Sequence, residues 1–372
     1  MISQPWYSHP WVSVDDLRES KRTFFECYNG LSASRTFIAI TLIWYQTTFI
    51  HMTLWPVYRS LTSLAYLLFY QMVIYCAVHF NFEAASIGPG FVRHGWMSGK
   101  KKDVKGRLQF CKVCEGFKPP RSHHCRQCGR CVLKMDHHCP WINTCVGHRN
   151  VVQFLKFVVC AVVGSTQSCY VLYKGTSYGV SKDPSPLGQY TLIFTVICLG
   201  FSASVVLLVG YLLVRQVREL LINRTNVEVY IEKKAEIYGN HDDNTFVWPY
   251  DRGYLKNISE VLFEPEGNGF FFPIVDGCDQ FSLSMEQMSQ KEIKKKSLKA
   301  VETVQSSRST RLELSFGKLY DWMSLSEGVV ETEEGDVWMI SRFTDHYLYG
   351  YRKDNETIRG WIPKEICALV DE

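Results

Sequence analysis

Four stretches of this chain are apolar enough to cross a bilayer, which takes about 20 residues of helix. They run from about Thr36 to Trp55, about Leu61 to Phe80, about Phe154 to Tyr173 and about Tyr190 to Val214. The last is the clearest, with FTVICLGFSASVVLLVGYLLV uninterrupted by charge. Lys156, near the start of the third, can snorkel to the interface, and Trp55 and Tyr190 at span ends suit an aromatic belt. Burial inside a large soluble helical protein is the alternative, and four runs without a central charge argue against it. The fold class expected is an all-α polytopic membrane protein with four transmembrane helices. Composition alone hides this, because 46% hydrophobic and 21% charged residues would also suit a soluble enzyme. A net charge of +4 is too mild for a nucleic-acid binder.

Lysine and arginine counts orient the spans. The short loops hold Arg59 alone, and Lys174 with Lys182, whereas thirteen basic residues lie from Arg93 to Arg149. Arg215, Arg218 and Arg224 follow the fourth span. Both termini and the long central loop are therefore expected in the cytosol. Residues 1–30 lack the apolar h-region of a signal peptide. The sequons at Asn223, Asn257 and Asn355 fall on the cytosolic side and are expected to carry no glycan.

Seven of the 14 cysteines fall between Cys111 and Cys145, in CKVCEGFKPPRSHHCRQCGRCVLKMDHHCPWINTC. In a reducing compartment such a cluster points to metal or catalysis rather than to disulfides. With four histidines it offers eleven candidate ligands, and two four-ligand zinc sites use eight of them. Among the remainder is a cysteine set against histidine and aspartate, which suits an activated thiolate. Spacing alone leaves the other reading open, that every cysteine is structural, as in an interaction module built on zinc.

The same residues resemble the cysteine-rich domain of the DHHC protein S-acyltransferases. The chain supplies Cys111-x2-Cys114, Pro119 or Pro120 before Arg121, then His124, Cys125, Cys128 and Cys131. Asp136 to Cys139, Trp141, Asn143, Cys145, Gly147, Asn150 and Phe154 follow. The departure is Thr144, an extra residue between Asn143 and Cys145. The resemblance implies a first zinc on Cys111, Cys114, His124 and Cys131, and a second on Cys125, Cys128, His138 and Cys145. It implies Cys139 as the acyl-carrying nucleophile, His137 as its general base and Asp136 as the residue orienting His137. His123 is left unassigned. The implied activity is protein S-palmitoyl transfer from palmitoyl-CoA to protein cysteines by a two-step ping-pong exchange, with two structural zinc ions and acyl-CoA as co-substrate. Arg93, Lys134 and Arg149 are basic residues that could meet CoA phosphates, although the topology signal already accounts for them.

Beyond the fourth span, Thr225-Asn226-x-Glu228 resembles the family's TTxE box, with Asn226 in place of the second threonine. Asn257 resembles the polar anchor of the family's C-terminal motif. The expected division is 1–35 cytosolic N-terminus, 36–80 the first two spans, 81–153 the zinc domain and 154–214 the last two spans. It continues with 215–280 a cytosolic region, 281–312 a basic linker and 313–372 an SH3-like β-barrel. Lys318 to Trp322, Gly335 to Ile340 and Gly360 to Pro363 carry the barrel resemblance. Tyr347-Leu348 and Ile366 depart from the usual proline-binding aromatics, so a docking barrel is expected at least as readily as a proline reader. A DHHC domain followed by SH3 resembles one animal branch of the family. That branch implies the endoplasmic reticulum membrane, with substrates bearing cytosolic cysteines and a small ER selenoprotein as partner. The chain ends ALVDE without a dilysine tail, which leaves the Golgi as the fallback.

Overall fold

A computed structural model describes residues 27, 31–97, 106–181, 185–239, 246–263, 266–296, 299–305, 329–343 and 346–369. The apolar runs form four helices, α1 (Leu31–Leu54), α2 (Leu61–Ile87), α3 (Val151–Val180) and α4 (Gln189–Leu221), each long and apolar enough to cross a membrane. Pro56 follows the end of α1, and the Ser60 side chain caps α2. Hydrogen bonds join the helices where lipid offers none: Gln46 Nε2 donates to Thr195 Oγ1 at 2.8 Å, and Tyr70 Oη lies 2.9 Å from Ser168 Oγ. α1 and α3 meet closely at Gly175, where a Cβ would lie 2.5 Å from Ile50 Cγ2.

Between α2 and α3 the backbone folds as three short antiparallel hairpins. These are β1 (Phe110–Cys111) with β2 (Gly116–Phe117), β3 (His123–Cys125) with β4 (Arg130–Val132), and β5 (His137–Cys139) with β6 (Thr144–Val146). Asn150 ties this domain to the bundle. Its side-chain amide donates to the Ala84 and Cys145 carbonyls at 2.9 Å, while its Oδ1 accepts from Gly147 N. A Cβ at Gly147 would lie 2.7 Å from the Pro89 carbonyl oxygen, so this crossing admits only glycine.

α4 continues past its apolar run into RQVRELL, and α5 (Asn226–Gly239) and α6 (Tyr254–Leu262) follow. Thr225 and Glu228 form a capping box: Thr225 N donates to Glu228 Oε2 at 2.8 Å, and Glu228 N donates to Thr225 Oγ1 at 3.3 Å. The Glu228 carboxylate also receives both arms of Arg121, at 2.8 and 2.7 Å. This pair is fully buried, and the guanidinium lies 4.2 Å from the Tyr250 ring centroid and 5.0 Å from that of Phe272. Arg121 adopts φ +63°, in the left-handed region that residues other than glycine enter only rarely. Four charge-assisted or polar bonds to Glu228 and Asn223 hold it there. Asn257 donates to the Leu221 carbonyl at 2.8 Å and to Asp251 at 2.7 Å, anchoring α6 beneath the end of α4. Asn223 and Asn257, both in sequons, are buried.

The chain divides into two units, Met1–Gln287 and Met288–Glu372. The stretch expected as a basic linker instead holds helix α7 (Ser282–Lys296) and strand β7 (Lys299–Thr303). The basic run concealed a strand whose side chains alternate, Val301 and Thr303 buried and Glu302 exposed. Strands β8 (Val337–Phe343), β9 (Tyr347–Arg352), β10 (Arg359–Pro363) and β11 (Cys367–Leu369) complete a five-stranded sheet in the order β10-β9-β8-β7-β11. At the outer edge of β10 Val329 bridges to Trp361 and Val330 N donates to the Trp361 carbonyl at 2.9 Å, and among the described residues no strand joins this edge to β11. The Lys318 to Trp322 segment of the barrel motif lies outside the described residues. Trp338, Tyr347 and Trp361 are buried in this unit.

Replacing Arg121 by alanine strands the Glu228 carboxylate in an apolar pocket. Breaking one side of such a buried pair is expected to lower stability by about 3–5 kcal/mol. Thermal unfolding of the detergent-solubilised chain measures it, and a loss below about 1 kcal/mol would contradict the anchoring role.

Candidate active site

Each hairpin places its side chains by strand alternation. Neighbours in β3 and β5 point to opposite faces, so His124 and Cys125, or His138 and Cys139, serve different neighbourhoods. His124 pairs across β3–β4 with Cys131, and His138 pairs across β5–β6 with Cys145. Each pair meets the two cysteines of the preceding hairpin. Cys111, Cys114, His124 and Cys131 form one cluster, and Cys125, Cys128, His138 and Cys145 form the other. The resemblance implied these same two groupings. His123, half buried, belongs to neither.

Both clusters have the dimensions of a tetrahedral metal site. A centre about 2.3 Å from sulfur and about 2.0–2.1 Å from nitrogen requires donor–donor edges of roughly 3.5–3.8 Å. His124 Nδ1 lies 3.6, 3.4 and 4.0 Å from the sulfurs of Cys111, Cys114 and Cys131. His138 Nδ1 lies 3.6, 3.3 and 3.7 Å from those of Cys125, Cys128 and Cys145, and Cys128 and Cys145 sulfurs stand 3.6 Å apart. In both C-x2-C turns the second cysteine's N–H donates to the first sulfur, at 3.5 and 3.4 Å. These are four-donor sets that can hold metal ions with no position left for water.

His137 and Cys139 share the face of β5 opposite His138. Asp136 Oδ2 accepts from His137 Nδ1 at 2.7 Å, which leaves Nε2 for the Cys139 thiol, with which the imidazole also hydrogen-bonds. Three further donors fix the aspartate. Gln216 Nε2 reaches Oδ2 at 2.7 Å, and Asn226 gives Oδ1 its backbone N–H at 2.6 Å and its side-chain amide at 3.0 Å. Burial opposes charge on Asp136, yet these bonds outweigh it and hold its pKa below the ordinary carboxylate value. Burial likewise opposes the imidazolium of His137, but its bonds to Asp136 and Cys139 raise its pKa to about 9. Phe154 packs edge-on against the imidazole at 5.4 Å.

Cys139 is 1% exposed and packs among Ala84, Ala85, Phe154, Phe157, Val158 and Val209, so the thiol faces the helical bundle. A largely apolar cavity of about 250 Å³ continues into the bundle from Trp141, between Ile40 and Ile43 of α1, Ile74 and Ala77 of α2, Phe157 and Ala161 of α3, and Val205 and Val209 of α4.

Not every basic residue faces a ligand. Lys134 Nζ donates to Asn223 Oδ1 at 2.9 Å, and burial beside Arg121 pushes its pKa down to about 7. His148, against Phe272, is pushed down to about 3 by burial near Lys134, Arg121 and Arg149. The sequence reading had no place for Gln216 or for the Arg121–Glu228 pair. The signal for Gln216 was RQVRELL, which prolongs the helical pattern of α4 beyond Val214.

Comparison with known proteins places the DHHC palmitoyltransferase family model on residues 104–233. The chain is similar to palmitoyltransferase ZDHHC6 of Mus musculus, at 32% identity over 83% of this chain and 83% of that one. It is similar to palmitoyltransferase ZDHHC6 of Homo sapiens, at 30% identity over 95% of this chain and 93% of the relative. Probable protein S-acyltransferase 16 of Arabidopsis thaliana is 34% identical over 42% of this chain and 55% of its own length.

Because the clusters share the β3–β4 hairpin but no ligand, each is expected to lose its metal separately. Cys111→Ser should remove about one metal ion per chain, as should Cys145→Ser, measured by elemental analysis of the purified protein. Equal metal content in the variants and the parent chain would contradict the donor sets.

Proposed function

The chain belongs to the DHHC palmitoyltransferase family and is a protein S-palmitoyltransferase; on that premise we propose that Cys139 carries the acyl group, with His137 as its general base and Asp136 as the residue that orients His137. The observation that carries this reading is the placement of one thiol between the Asp136–His137 pair and an apolar cluster whose Phe157 and Val209 also line the bundle cavity. Cys139 hydrogen-bonds to an imidazole whose other nitrogen is tied to Asp136, and it packs at the apolar wall of the bundle. His137 Nε2 takes the thiol proton as Cys139 Sγ attacks the carbonyl carbon of palmitoyl-CoA. The thioester bond to CoA breaks, CoA leaves as a thiol on taking that proton, and an acyl-Cys139 thioester remains. A protein cysteine, deprotonated by the same imidazole, then attacks that thioester and leaves S-acylated. Burial of the chain in the bundle contributes about 0.8 kcal/mol per methylene, and the cavity beside Trp141 is the space that would receive it.

The donor sets fit two zinc ions, the first on Cys111, Cys114, His124 and Cys131 and the second on Cys125, Cys128, His138 and Cys145. Zinc in such closed sites is structural, fixing the hairpins that present β5. Thr225, Asn226 and Glu228 serve as the support of Asp136 and Arg121, and Asn257 as the anchor of the helix beneath them.

The resemblance to the SH3-bearing branch supports a multi-pass enzyme of the endoplasmic reticulum membrane, the Golgi being the fallback, with both termini and the cysteine-rich domain cytosolic. Substrates are then membrane proteins with cysteines on that face. The C-terminal sheet is read as part of an SH3-like module. Its buried Trp338, Tyr347 and Trp361 build an interior rather than a proline platform, which favours docking of a partner such as a small ER selenoprotein.

Incubation with labelled palmitoyl-CoA tests the assignment. Hydroxylamine-sensitive label is expected on the parent chain and absent from Cys139→Ser; equal labelling of both would overturn it. Asp136→Asn should slow acylation on the order of 10³- to 10⁴-fold. It should also move the base inflection of the pH–rate profile down from about 9, since the carboxylate that favours the imidazolium is gone. An unchanged inflection would show that Asp136 does not act through His137.

A further inference from the structure

One face of α4 runs from the bundle cavity to the Asp136–His137 pair. Val209 lines the cavity and belongs to the apolar cluster around Cys139, and Leu212 and Leu213 pack against that cluster. The next position on this face, one turn further, is Gln216, 5% exposed. A primary amide buried there is costly unless it is paired. Its Nε2 is paired with Asp136, donating to Oδ2 at 2.7 Å. The same helix therefore supplies a wall of the cavity and a donor to the aspartate.

The remaining donors to Asp136 divide differently between its two oxygens. Asn226, at the start of α5, gives its backbone N–H to Oδ1 at 2.6 Å, and its side-chain amide reaches both oxygens, at 3.0 and 2.9 Å. His137 Nδ1 donates to Oδ2 at 2.7 Å. Among the described residues, Gln216 is thus the one donor besides the imidazole that gives its bond to Oδ2 alone. An aspartate carboxylate turns easily about Cβ–Cγ, because that torsion is broad. Asn226 supplies the pivot at Oδ1, and Gln216 opposes the turn at Oδ2. The restraint matters because the imidazole changes charge twice in each half-reaction, once on taking a thiol proton and once on giving it up. Nδ1–H has to stay on the same oxygen through both changes if Nε2 is to stay on the thiol. A glutamine amide is a neutral donor, so it holds Oδ2 without neutralising the charge that stabilises the imidazolium.

We propose that Gln216 is a positioning residue for acyl transfer: from α4 it holds Asp136 Oδ2 on His137 Nδ1 while the imidazole takes and returns the proton. The proposal rests on the roles given above to Cys139, His137 and Asp136. It requires an N–H donor at this position, not merely a side chain of this size.

The two half-reactions of the full-length chain, followed separately by intact-protein mass spectrometry, test this. They are acylation of Cys139 by palmitoyl-CoA and transfer from acyl-Cys139 to a cysteine peptide. Gln216→Met keeps the length of the side chain without the donor and should slow both steps by about tenfold, the scale of one hydrogen bond to a charged group. Gln216→Glu keeps the shape but sets a second carboxylate beside Asp136, and should slow both steps further. Metal content, melting temperature and the palmitoyl-CoA concentration giving half-maximal rate should stay at the parent values in Gln216→Met. In an Asp136→Ala background, Gln216→Met should cost nothing more, since the group it acts through is gone. Parent rates in Gln216→Met would overturn the proposal, as would a loss confined to one half-reaction or to palmitoyl-CoA affinity. A further tenfold loss in the Asp136→Ala background would overturn it alone. Asp136→Ala acylating at the parent rate would instead overturn the relay assignment, and the proposal with it.

Discussion

Everything at the catalytic face depends on the alternation of a single three-residue strand. In β5, His138 turns toward Cys125, Cys128 and Cys145, and its neighbours His137 and Cys139 necessarily turn the other way. A metal held on the His138 side would therefore set the positions of His137 and Cys139, the base and nucleophile proposed above, without touching either. The first cluster works one hairpin earlier, since His124 and Cys125 are adjacent in β3 and belong to different sites. The two clusters thereby lock β3–β4 and β5–β6 into one frame. A domain with so little regular structure, and strands of two or three residues, has few other means of holding a thiol in register.

Asp136 extends that frame to the rest of the protein. Its carboxylate accepts from His137, from Gln216 at the end of α4 and from Asn226 at the start of α5. The start of α5 is held in turn by Glu228, through its capping box and through Arg121 of the hairpin domain. The end of α4, the hairpin domain and the start of α5 thus converge on Asp136 and, through it, on one imidazole. Asn226, where a threonine would be usual, gives the aspartate two donors, from backbone and side chain. The substitution therefore keeps the contact instead of breaking it.

Much of this was legible in the sequence because it rests on local patterns. Apolar length marks the four spans, C-x2-C turns mark the metal knuckles, and the DHHC strip carries its own alternation. What was not legible is long-range or lacks a period. Gln216 and Asp136 are far apart in the chain, and nothing in either segment names the other. Arg121 looked like one more basic residue of a cytosolic loop, whereas burial against Glu228 and Tyr250 makes it structural. The 281–312 stretch read as a connector because lysines dominate it, and the buried alternation of Val301 and Thr303 is too short to stand out.

The claim at the centre of the account is that metal occupancy positions a thiol it does not contact. Its most direct measurement is the rate of acyl-thioester formation at Cys139, followed by intact-protein mass spectrometry with palmitoyl-CoA, as metal is withdrawn stepwise with a chelator. The rate should fall in step with bound metal and recover when zinc is restored. Undiminished acylation of Cys139 in the metal-depleted chain would contradict it.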